Sequence, residues 1–140
     1  MLIGSYQHNM DLKGRVTTPS KFREDLGDKF YVCKGLNSCL LVYSEQGFTA
    51  LMEKVSEKAM SSAGDIQRFL LSGATEVEPD KQGRILIPQN LREHAGIEKE
   101  VTIIGVGTRA EMWNTEKLEE YNRVQQSEAE IKKAMMELGI

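Results

Sequence analysis

The sequence contains no long apolar run and few of the residues that build covalent or metal-bound frameworks. Its longest apolar run, Cys39–Tyr43, has five residues, whereas a membrane-spanning helix needs about 20. There are three prolines, and aromatic residues make up only 6% of the 140 positions. Scarce proline and mixed charge argue against disorder, and no basic region followed by an apolar stretch begins the chain. We therefore expect a folded protein without a secretory signal or a membrane contact.

The two cysteines fit neither a zinc site nor a redox pair. Cys33 and Cys39 have five residues between them, a longer spacing than zinc knuckles and redox motifs use. Each lies in an apolar stretch, where a thiol usually serves as a small buried residue. We therefore expect free buried thiols, no metal, no cofactor, and a reduced, cytoplasmic protein.

The sequence also lacks a catalytic constellation. His8 and His94 belong to no metal or nucleophile motif, and we expect His94 on the surface of a short helix. Gly105–Ala110 matches the G-x-G-x-x-A pattern of dinucleotide sites, but such a site needs a helix to begin there. The residues that follow instead match a strand of the first half of the chain, so this segment predicts a hairpin turn. We predict that the protein is not an enzyme and has no small-molecule substrate.

What the sequence does contain is an internal repeat. Residues 11–27 and 80–96 are identical at seven of 17 aligned positions, where ordinary composition gives about one. The likeness continues through Val32 and Val101, shifts by one residue, and reaches Tyr43 and Trp113. The chain is therefore a duplication. The identical pairs are Asp11 and Asp80, Gly14 and Gly83, Arg15 and Arg84, Pro19 and Pro88, Arg23 and Arg92, Glu24 and Glu93, and Gly27 and Gly96.

Each unit begins with an Asp-x-x-Gly-Arg turn, in which Asp can bond the backbone two residues on and Gly supplies a positive φ. The β-rich residues 15–18 and 84–87 follow directly, so we predict that each turn closes a hairpin. Pro19 and Pro88 cannot continue a central strand but suit the first position of a helix. Each unit therefore predicts a turn, a short strand and then a short helix.

Further elements follow in the same order in both units. Gly27 and Gly96 suit the left-handed ends of the short helices, and Ser44 and Asn114 suit the N-caps of longer helices. The first of these longer helices is predicted to run through Ala59 toward Ala63–Gly64, and a shorter segment, Asp65–Leu71, leads back to the second unit. Tyr43 and Trp113, just before the caps, are interpreted as packing anchors. The strands predicted in between are 30–34, 39–43, 76–78, 101–104 and 110–113.

Neither unit, at about 45 residues, is large enough to bury a core by itself. The sequence therefore predicts one α+β domain over residues 1–140, a pseudo-two-fold β-barrel built from both repeats, with flanking helices. We assign its parts as repeat 1 (5–47), a helical connection (48–75), repeat 2 (76–119) and a C-terminal helix (120–140).

Arg15 and Arg84 are not required by the turns, which need only Asp and Gly. One interpretation is that each forms a salt bridge with Asp11 or Asp80, since surface ion pairs are common. The other is that both stand on one exposed face, where a hairpin can enter the major groove and Arg can bind guanine bidentately. The candidate DNA-binding residues are Arg15, Arg84, Lys13, Lys81 and Lys21, and the structural motif residues are Asp11, Gly14, Pro19, Asp80, Gly83 and Pro88.

The doubled motif, with Gly4–Tyr6 near the start and Glu111–Trp113 near the end, resembles the MraZ family. The resemblance covers nearly the whole chain and weakens after about Tyr121. It implies two SpoVT/AbrB-type swapped-hairpin units in a bacterial transcriptional regulator of the division and cell-wall gene cluster. It also implies a cytoplasmic, nucleoid-associated protein that forms ring-shaped homo-oligomers and binds short direct DNA repeats near its own promoter. The family's functional arginine maps onto Arg15, and Arg84 is its counterpart.

The net charge of −3 is unevenly distributed. Residues 1–70 carry a net +1 and residues 71–140 a net −4, so DNA binding would have to be local, repeated and sensitive to salt. The alternative function is a protein-interaction module of antitoxin type, because the resembled fold also occurs in toxin-neutralising proteins. Such proteins usually bind through a disordered tail, whereas the end of this chain predicts a helix.

Overall fold

The computed structural model describes residues 1–57 and 60–140, and within them it contains eight strands and six α-helices. The strands are β1 (Leu2–Asn9), β2 (Arg15–Thr17), β3 (Phe30–Lys34), β4 (Leu40–Ser44), β5 (Thr75–Val77), β6 (Arg84–Leu86), β7 (Glu100–Gly107) and β8 (Ala110–Asn114). The helices are α1 (Arg23–Leu26), α2 (Glu45–Ser56), α3 (Met60–Ser72), α4 (Gln89–Ala95), α5 (Thr115–Val124) and α6 (Glu128–Glu137). Single 3₁₀ turns cover Ser20–Phe22 and Leu36–Ser38.

Six strands form one antiparallel sheet in the order β1-β7-β8-β4-β3-β5, and β2 pairs with β6 in a second, two-stranded sheet. The larger sheet is symmetric about the β8–β4 pair, and each half combines two strands of one repeat with an edge strand of the other, since β1 pairs with β7 and β5 pairs with β3. Within the described residues β1 and β5 are its edges, and the sheet does not close on itself. The predicted α+β class is confirmed.

The main core lies between the larger sheet and the short elements that follow each Asp-x-x-Gly-Arg turn. Alternate residues of the central strands point into it, and Phe30, Val32 and Val101 are fully buried. Phe22 and Leu91 enter it from the segments after Pro19 and Pro88. Because one cluster draws on both repeats, neither repeat has a complete core of its own.

The prediction that each turn closes a hairpin was wrong, because the strand after the turn does not pair with the strand before it. β2 pairs antiparallel with β6 of the other repeat, with Val16 opposite Ile85, and the Ile87 N–H donates to the Gly14 carbonyl at 2.9 Å. Both Val16 and Ile85 are almost fully buried. Pairing across the repeats places both side chains in the shared core, and their burial stabilises a ladder of only three residue pairs.

The capping predictions are confirmed for the two long helices. The Ser44 hydroxyl accepts the Gly47 N–H at 3.0 Å and begins α2, while the Asn114 side chain accepts the Lys117 N–H at 3.1 Å and begins α5. Residues 58 and 59 of the predicted first helix lie outside the described residues. α2 is described to Ser56 and a separate helix, α3, covers Met60–Ser72, so the predicted division between the two segments near Gly64 was wrong.

The aromatic residues before these caps are buried as predicted. Tyr43 packs against Phe48 of α2, and Trp113 lies 5.2 Å, between ring centroids, from Tyr121 of α5. Both side chains anchor a long helix to the outer face of the sheet.

The C-terminal segment differs from the single predicted helix. α5 ends at Val124 and α6 begins at Glu128, because the Ser127 hydroxyl accepts the Glu130 N–H at 3.3 Å and caps a new helix. No residue of α6 is buried. None of the helices within 1–57 and 60–140 is long and apolar enough to cross a membrane.

The proline and glycine predictions are partly confirmed. Pro19 and Pro88 lie at N-caps, one residue earlier than predicted. Gly96 ends α4 in the left-handed conformation, with φ 63°, whereas Gly27 has φ 81° with an extended ψ of −171°. Both glycines therefore have a positive φ, but only Gly96 is a left-handed cap.

Cys33 and Cys39 are buried and free, as predicted, and burial raises the pKa of both thiols to about 12.

Gly105–Ala110 forms the predicted hairpin turn, because β7 and β8 pair antiparallel on either side of it. His94 is not a simple surface residue. It is half-buried, with Nε2 2.9 Å from the Gly35 carbonyl oxygen.

Candidate nucleic-acid interface

The first Asp-x-x-Gly-Arg turn is organised around one carboxylate. Asp11 Oδ1 accepts the N–H groups of Lys13 and Arg15, each at 2.9 Å, and Oδ2 accepts Nε of Arg15 at 2.8 Å. Gly14 has φ +85°, a conformation that side chains other than glycine rarely adopt. The aspartate thus fixes both the turn and the direction of the arginine.

The second turn repeats this arrangement. Asp80 Oδ1 accepts the N–H groups of Gln82 and Arg84 at 2.9 Å, and Oδ2 accepts Nε of Arg84 at 2.9 Å. Arg84 also lies near the first turn, with Nη1 3.9 Å from Oδ2 of Asp11. The two turns therefore lie close together, one at each end of the short β2–β6 ladder.

The salt-bridge interpretation of the two arginines is confirmed, and its geometry leaves a second role open. Each aspartate binds Nε, and the side chains of Arg15 and Arg84 remain 32% and 30% exposed. A guanidinium held at Nε retains its Nη groups as donors in a fixed orientation. Because each arginine is already paired with an aspartate, the two turns add little net positive charge. What they provide is a pair of hydrogen-bond donors held in a fixed orientation.

Hydrogen bonds to the carboxylates change their acidity. The Arg15 N–H is the largest of several causes that lower the pKa of Asp11 to about 2. The N–H of Arg84 is likewise the largest cause of the lowered pKa of Asp80. Both aspartates are therefore ionised in the folded protein at every pH above the acid range, and the turns are built around charged carboxylates.

We expect acid to destabilise these turns. A carboxyl whose pKa is lowered by folding stabilises the folded state above its unfolded pKa of about 3.9. That stabilisation is lost as the pH falls through the folded pKa, here near 2. The melting temperature should therefore fall between about pH 4 and pH 2, and it should fall less in Asp11→Asn, which begins from a lower value at neutral pH. Thermal unfolding followed by circular dichroism measures this.

The control is Asp65→Asn, which removes only an exposed ion pair with Arg68 on α3, and such pairs contribute little. An acid-induced fall equal in Asp11→Asn and in the unaltered protein would contradict the role given to Asp11.

The other predicted cations surround the turns. Lys13 and Lys81 are exposed at the turn tips, and Lys21 is exposed on the 3₁₀ turn after β2. Leu86 lies directly opposite Arg15 in the ladder and is 56% exposed. The arginines therefore flank an apolar side chain on the outward side of the ladder.

Two arginines that the sequence reasoning assigned to no site lie against these turns. The guanidinium of Arg92 covers Gly14, so that a β-carbon there would lie 3.0 Å from its Cζ, and Arg23 covers Gly83 in the same way. Nε of Arg92 is buried without a hydrogen-bond partner among the residues that the structure describes. Neither guanidinium forms an ion pair with a carboxylate within the described part of the chain. Their identity in the two repeats was the available signal, but the contact across repeats is visible only in the fold.

Fold and turns together define an internally duplicated α+β protein in which two matched arginine-bearing turns meet across a two-stranded ladder. A family model described as "MraZ protein, putative antitoxin-like" matches the chain twice, over residues 1–69 and 70–138. The chain therefore belongs to the MraZ family.

Curated relatives named "Transcriptional regulator MraZ" match at about half of all positions. The relative from Acetivibrio thermocellus is 51% identical over 144 aligned residues, with both chains covered completely. The relative from Caldicellulosiruptor saccharolyticus is 52% identical over 143 residues, again with complete coverage. The relative from Caldanaerobacter subterraneus subsp. tengcongensis is 53% identical over 125 residues, which are 88% of this chain and 87% of the relative.

Proposed function

We propose that this protein is a DNA-binding transcription regulator that reads double-stranded DNA with Arg15 and Arg84. The observation that carries the proposal is the matched pair of turns, in each of which an aspartate holds Nε of the arginine at 2.8 or 2.9 Å. The relatives' name, transcriptional regulator, supports the same class of function. No catalytic role is proposed for any residue.

The two-stranded ladder supports readout in the major groove. A two-stranded ribbon fits that groove, and the Nη groups of an oriented arginine match O6 and N7 of guanine. We propose that the ladder and the larger sheet together form the swapped-hairpin, pseudo-two-fold barrel implied by the family resemblance. In that arrangement both turns face the same duplex, and the exposed Leu86 lies between them, where an apolar side chain can contact a thymine methyl.

Phosphate contacts require cations other than the two paired arginines. Arg23 and Arg92 form no ion pair within residues 1–57 and 60–140 and lie against the two turns. Lys13, Lys81 and Lys21 are exposed nearby. We propose that these residues bind the DNA backbone, while Arg15 and Arg84 contact the bases.

Few cations per protomer make a single copy a weak DNA binder. We therefore propose, with the family resemblance, a ring-shaped homo-oligomer that binds several short direct repeats near its own promoter, in the division and cell-wall gene cluster. Binding of one protomer raises the effective concentration of the next at the adjoining repeat. The proposed location is the cytoplasm, in association with the nucleoid.

The direct test is a mobility shift with the DNA upstream of the protein's own gene, titrated with salt. We expect a complex whose affinity falls steeply with salt, with a slope that counts the phosphates bound. Deleting one direct repeat should weaken binding, whereas scrambling the spacer sequence without changing its length should not. Equal affinity for the upstream fragment and for unrelated DNA of the same length would refute sequence-specific regulation.

Arg23→Gln and Arg92→Gln test the phosphate contacts. Each variant should reduce the magnitude of the salt slope by about 1 per bound protomer and weaken binding to specific and unrelated DNA alike. Arg68→Gln on α3 is the matched control, because its exposed guanidinium lies on another element. A change in sequence preference without a change in slope would instead assign Arg23 and Arg92 to positioning of the turns.

The second candidate is the protein-interaction module of antitoxin type, which the wording of the family description supports. Affinity capture from a lysate treated with nuclease separates the two functions. A stoichiometric protein partner, together with no shift of the upstream DNA, would favour the antitoxin function.

A further inference from the structure

The outer face of the larger sheet is covered unequally in the two repeats. In the first half, α2 and α3 lie over β3 and β4, and the cluster beneath them includes Cys33 and Leu70, which are 0% and 8% exposed. In the second half, within the described part of the chain, α5 alone lies on this face of the sheet, where Leu118 packs against Trp113. The helix after α5, α6, has no buried residue.

Strand register identifies the residue equivalent to Cys33. The cap residue Ser44 faces Phe30 across the β3–β4 pair, and Asn114 faces Val101 across the β7–β8 pair. Phe30 and Val101 are therefore equivalent positions. Three residues further along each strand, Ile104 is the counterpart of Cys33. Cys33 is fully buried, whereas Ile104 is only partly buried.

The residues around Ile104 form an apolar face, defined here by Ile3, Ile104 and Val106. Ile3 and Val106 face each other across the β1–β7 pair and are 66% and 39% exposed. A cleft of about 440 Å³ adjoins this face and is lined by Ile104, Val106 and Tyr121. The charges beside the cleft are mutually paired, since Arg109 binds Glu111 at 2.9 Å. The face therefore suits an apolar surface without charges of its own.

α6 has the features of a helix that should lie on such a face. Three residues, 125–127, separate it from α5. Ile131, Met135 and Leu138 follow one another at helical spacing and are 38%, 44% and 76% exposed. Isolated helices shorter than about 12–15 residues are marginal in water. None of the ten residues of α6 is buried against the described part of its own protomer, so this helix needs packing from another source.

We infer that α6 of one protomer packs on the Ile3–Ile104–Val106 face of a second copy of this chain, in the place that α3 occupies over β3 in the first repeat. Each protomer donates one α6 and accepts one, so the contact is head-to-tail and closes into a ring when the rotation permits. This inference rests on the homo-oligomer in the proposed function and assigns the surfaces that form it.

Cross-linking between two single-cysteine variants tests the contact. Val106→Cys and Met135→Cys are purified separately, mixed, dissociated and reassembled, and treated with a short bismaleimide. Cys33 and Cys39 give little background, because they are buried and their pKa is raised to about 12. We expect a cross-linked dimer in the mixture and little in either variant alone. The matched control pairs Met135→Cys with Thr49→Cys, an exposed position on α2, and should give no dimer.

A single chain that carries both Val106→Cys and Met135→Cys distinguishes exchange of α6 between protomers from packing of α6 on its own protomer. Exchange between protomers predicts a ladder of linked chains, whereas a linked monomer would show that α6 packs on its own protomer and would overturn the inference. Absence of a dimer in the mixture would overturn it as well.

Ile131→Glu provides a second measurement that does not depend on cross-linking. Because no residue of α6 is buried, this variant should leave the far-UV circular dichroism and the melting temperature of the body unchanged. The mass in light scattering should decrease, and Lys132→Glu, on another side of the helix, should have no such effect. An unchanged mass for Ile131→Glu would contradict the inference. Neither experiment contains DNA. A result that overturns the α6 contact would therefore leave the proposed DNA binding standing, and a failure to bind DNA would not change the result of either experiment.

Discussion

Arg15→Ala should reduce the affinity for promoter DNA by about one to two orders of magnitude for each bound protomer. A bidentate arginine–guanine contact contributes about 1–3 kcal/mol of discrimination, and each 1.4 kcal/mol corresponds to about a factor of ten. In an oligomer on repeated sites the losses accumulate, so binding should disappear in a mobility shift. The circular dichroism spectrum and the oligomer mass should not change, because Asp11 still accepts the N–H groups of residues 13 and 15.

Three further variants give this experiment its controls. Arg15→Lys retains the charge but not the planar fork, so base readout predicts a loss nearly as large as with Ala. Arg84→Ala should show the same pattern, since its contacts with Asp80 match those of Arg15 with Asp11. Arg68→Ala removes an exposed arginine elsewhere and should change affinity little. Survival of specific binding in Arg15→Ala would exclude the turn as the reading element.

Local signals in the sequence were sufficient for the turns and helix caps. Asp11 and Asp80 make the backbone contacts that their position before glycine predicts, and Ser44 and Asn114 cap their helices. These contacts span two to four residues, so the information lies within a short window. The duplication strengthened each prediction, because the same pattern occurred twice.

Pairing partners and strand register required the fold. The repeat in the sequence aligns Val32 with Val101, whereas strand pairing in the structure makes Phe30 the counterpart of Val101. A shift of two residues keeps every side chain on its face of the sheet, so the hydrophobic alternation cannot reveal it. The same limit applies to β2, whose three residues suit a partner in either repeat.

In the candidate site, only the contacts between residues close together in the sequence could be predicted. Arg15 and Arg84 follow from the motif, and their Nε contacts to Asp11 and Asp80 are within four residues. The positions of Arg23 and Arg92 depend on contact with the turn of the opposite repeat. Such contacts arise from the cross-repeat pairing of β2 with β6, which is why the sequence reasoning left these two arginines without a role.

Ile87→Ala should be strongly destabilising, because it removes a fully buried side chain beside the ladder that joins the repeats. Ile87 is 0% exposed and belongs to the core shared by both repeats. Truncation of a buried Ile to Ala costs about 2–5 kcal/mol, and for a chain of this size each kcal/mol lowers the melting temperature by about 2–4 °C or slightly more. We therefore expect a decrease of about 5–20 °C in calorimetry.

Leu86→Ala, at the adjacent position, is the matched control. Leu86 is 56% exposed and lies on the outward side of the same strand, so its truncation should change stability by about 0.5 kcal/mol or less. The two variants should also differ in DNA binding, since Leu86→Ala changes the exposed surface between the arginines and Ile87→Ala changes only a buried side chain. At a temperature where both are folded, Ile87→Ala should retain promoter affinity and Leu86→Ala should lose part of it. Equal melting temperatures would contradict the inward and outward alternation of β6 on which the reading face depends.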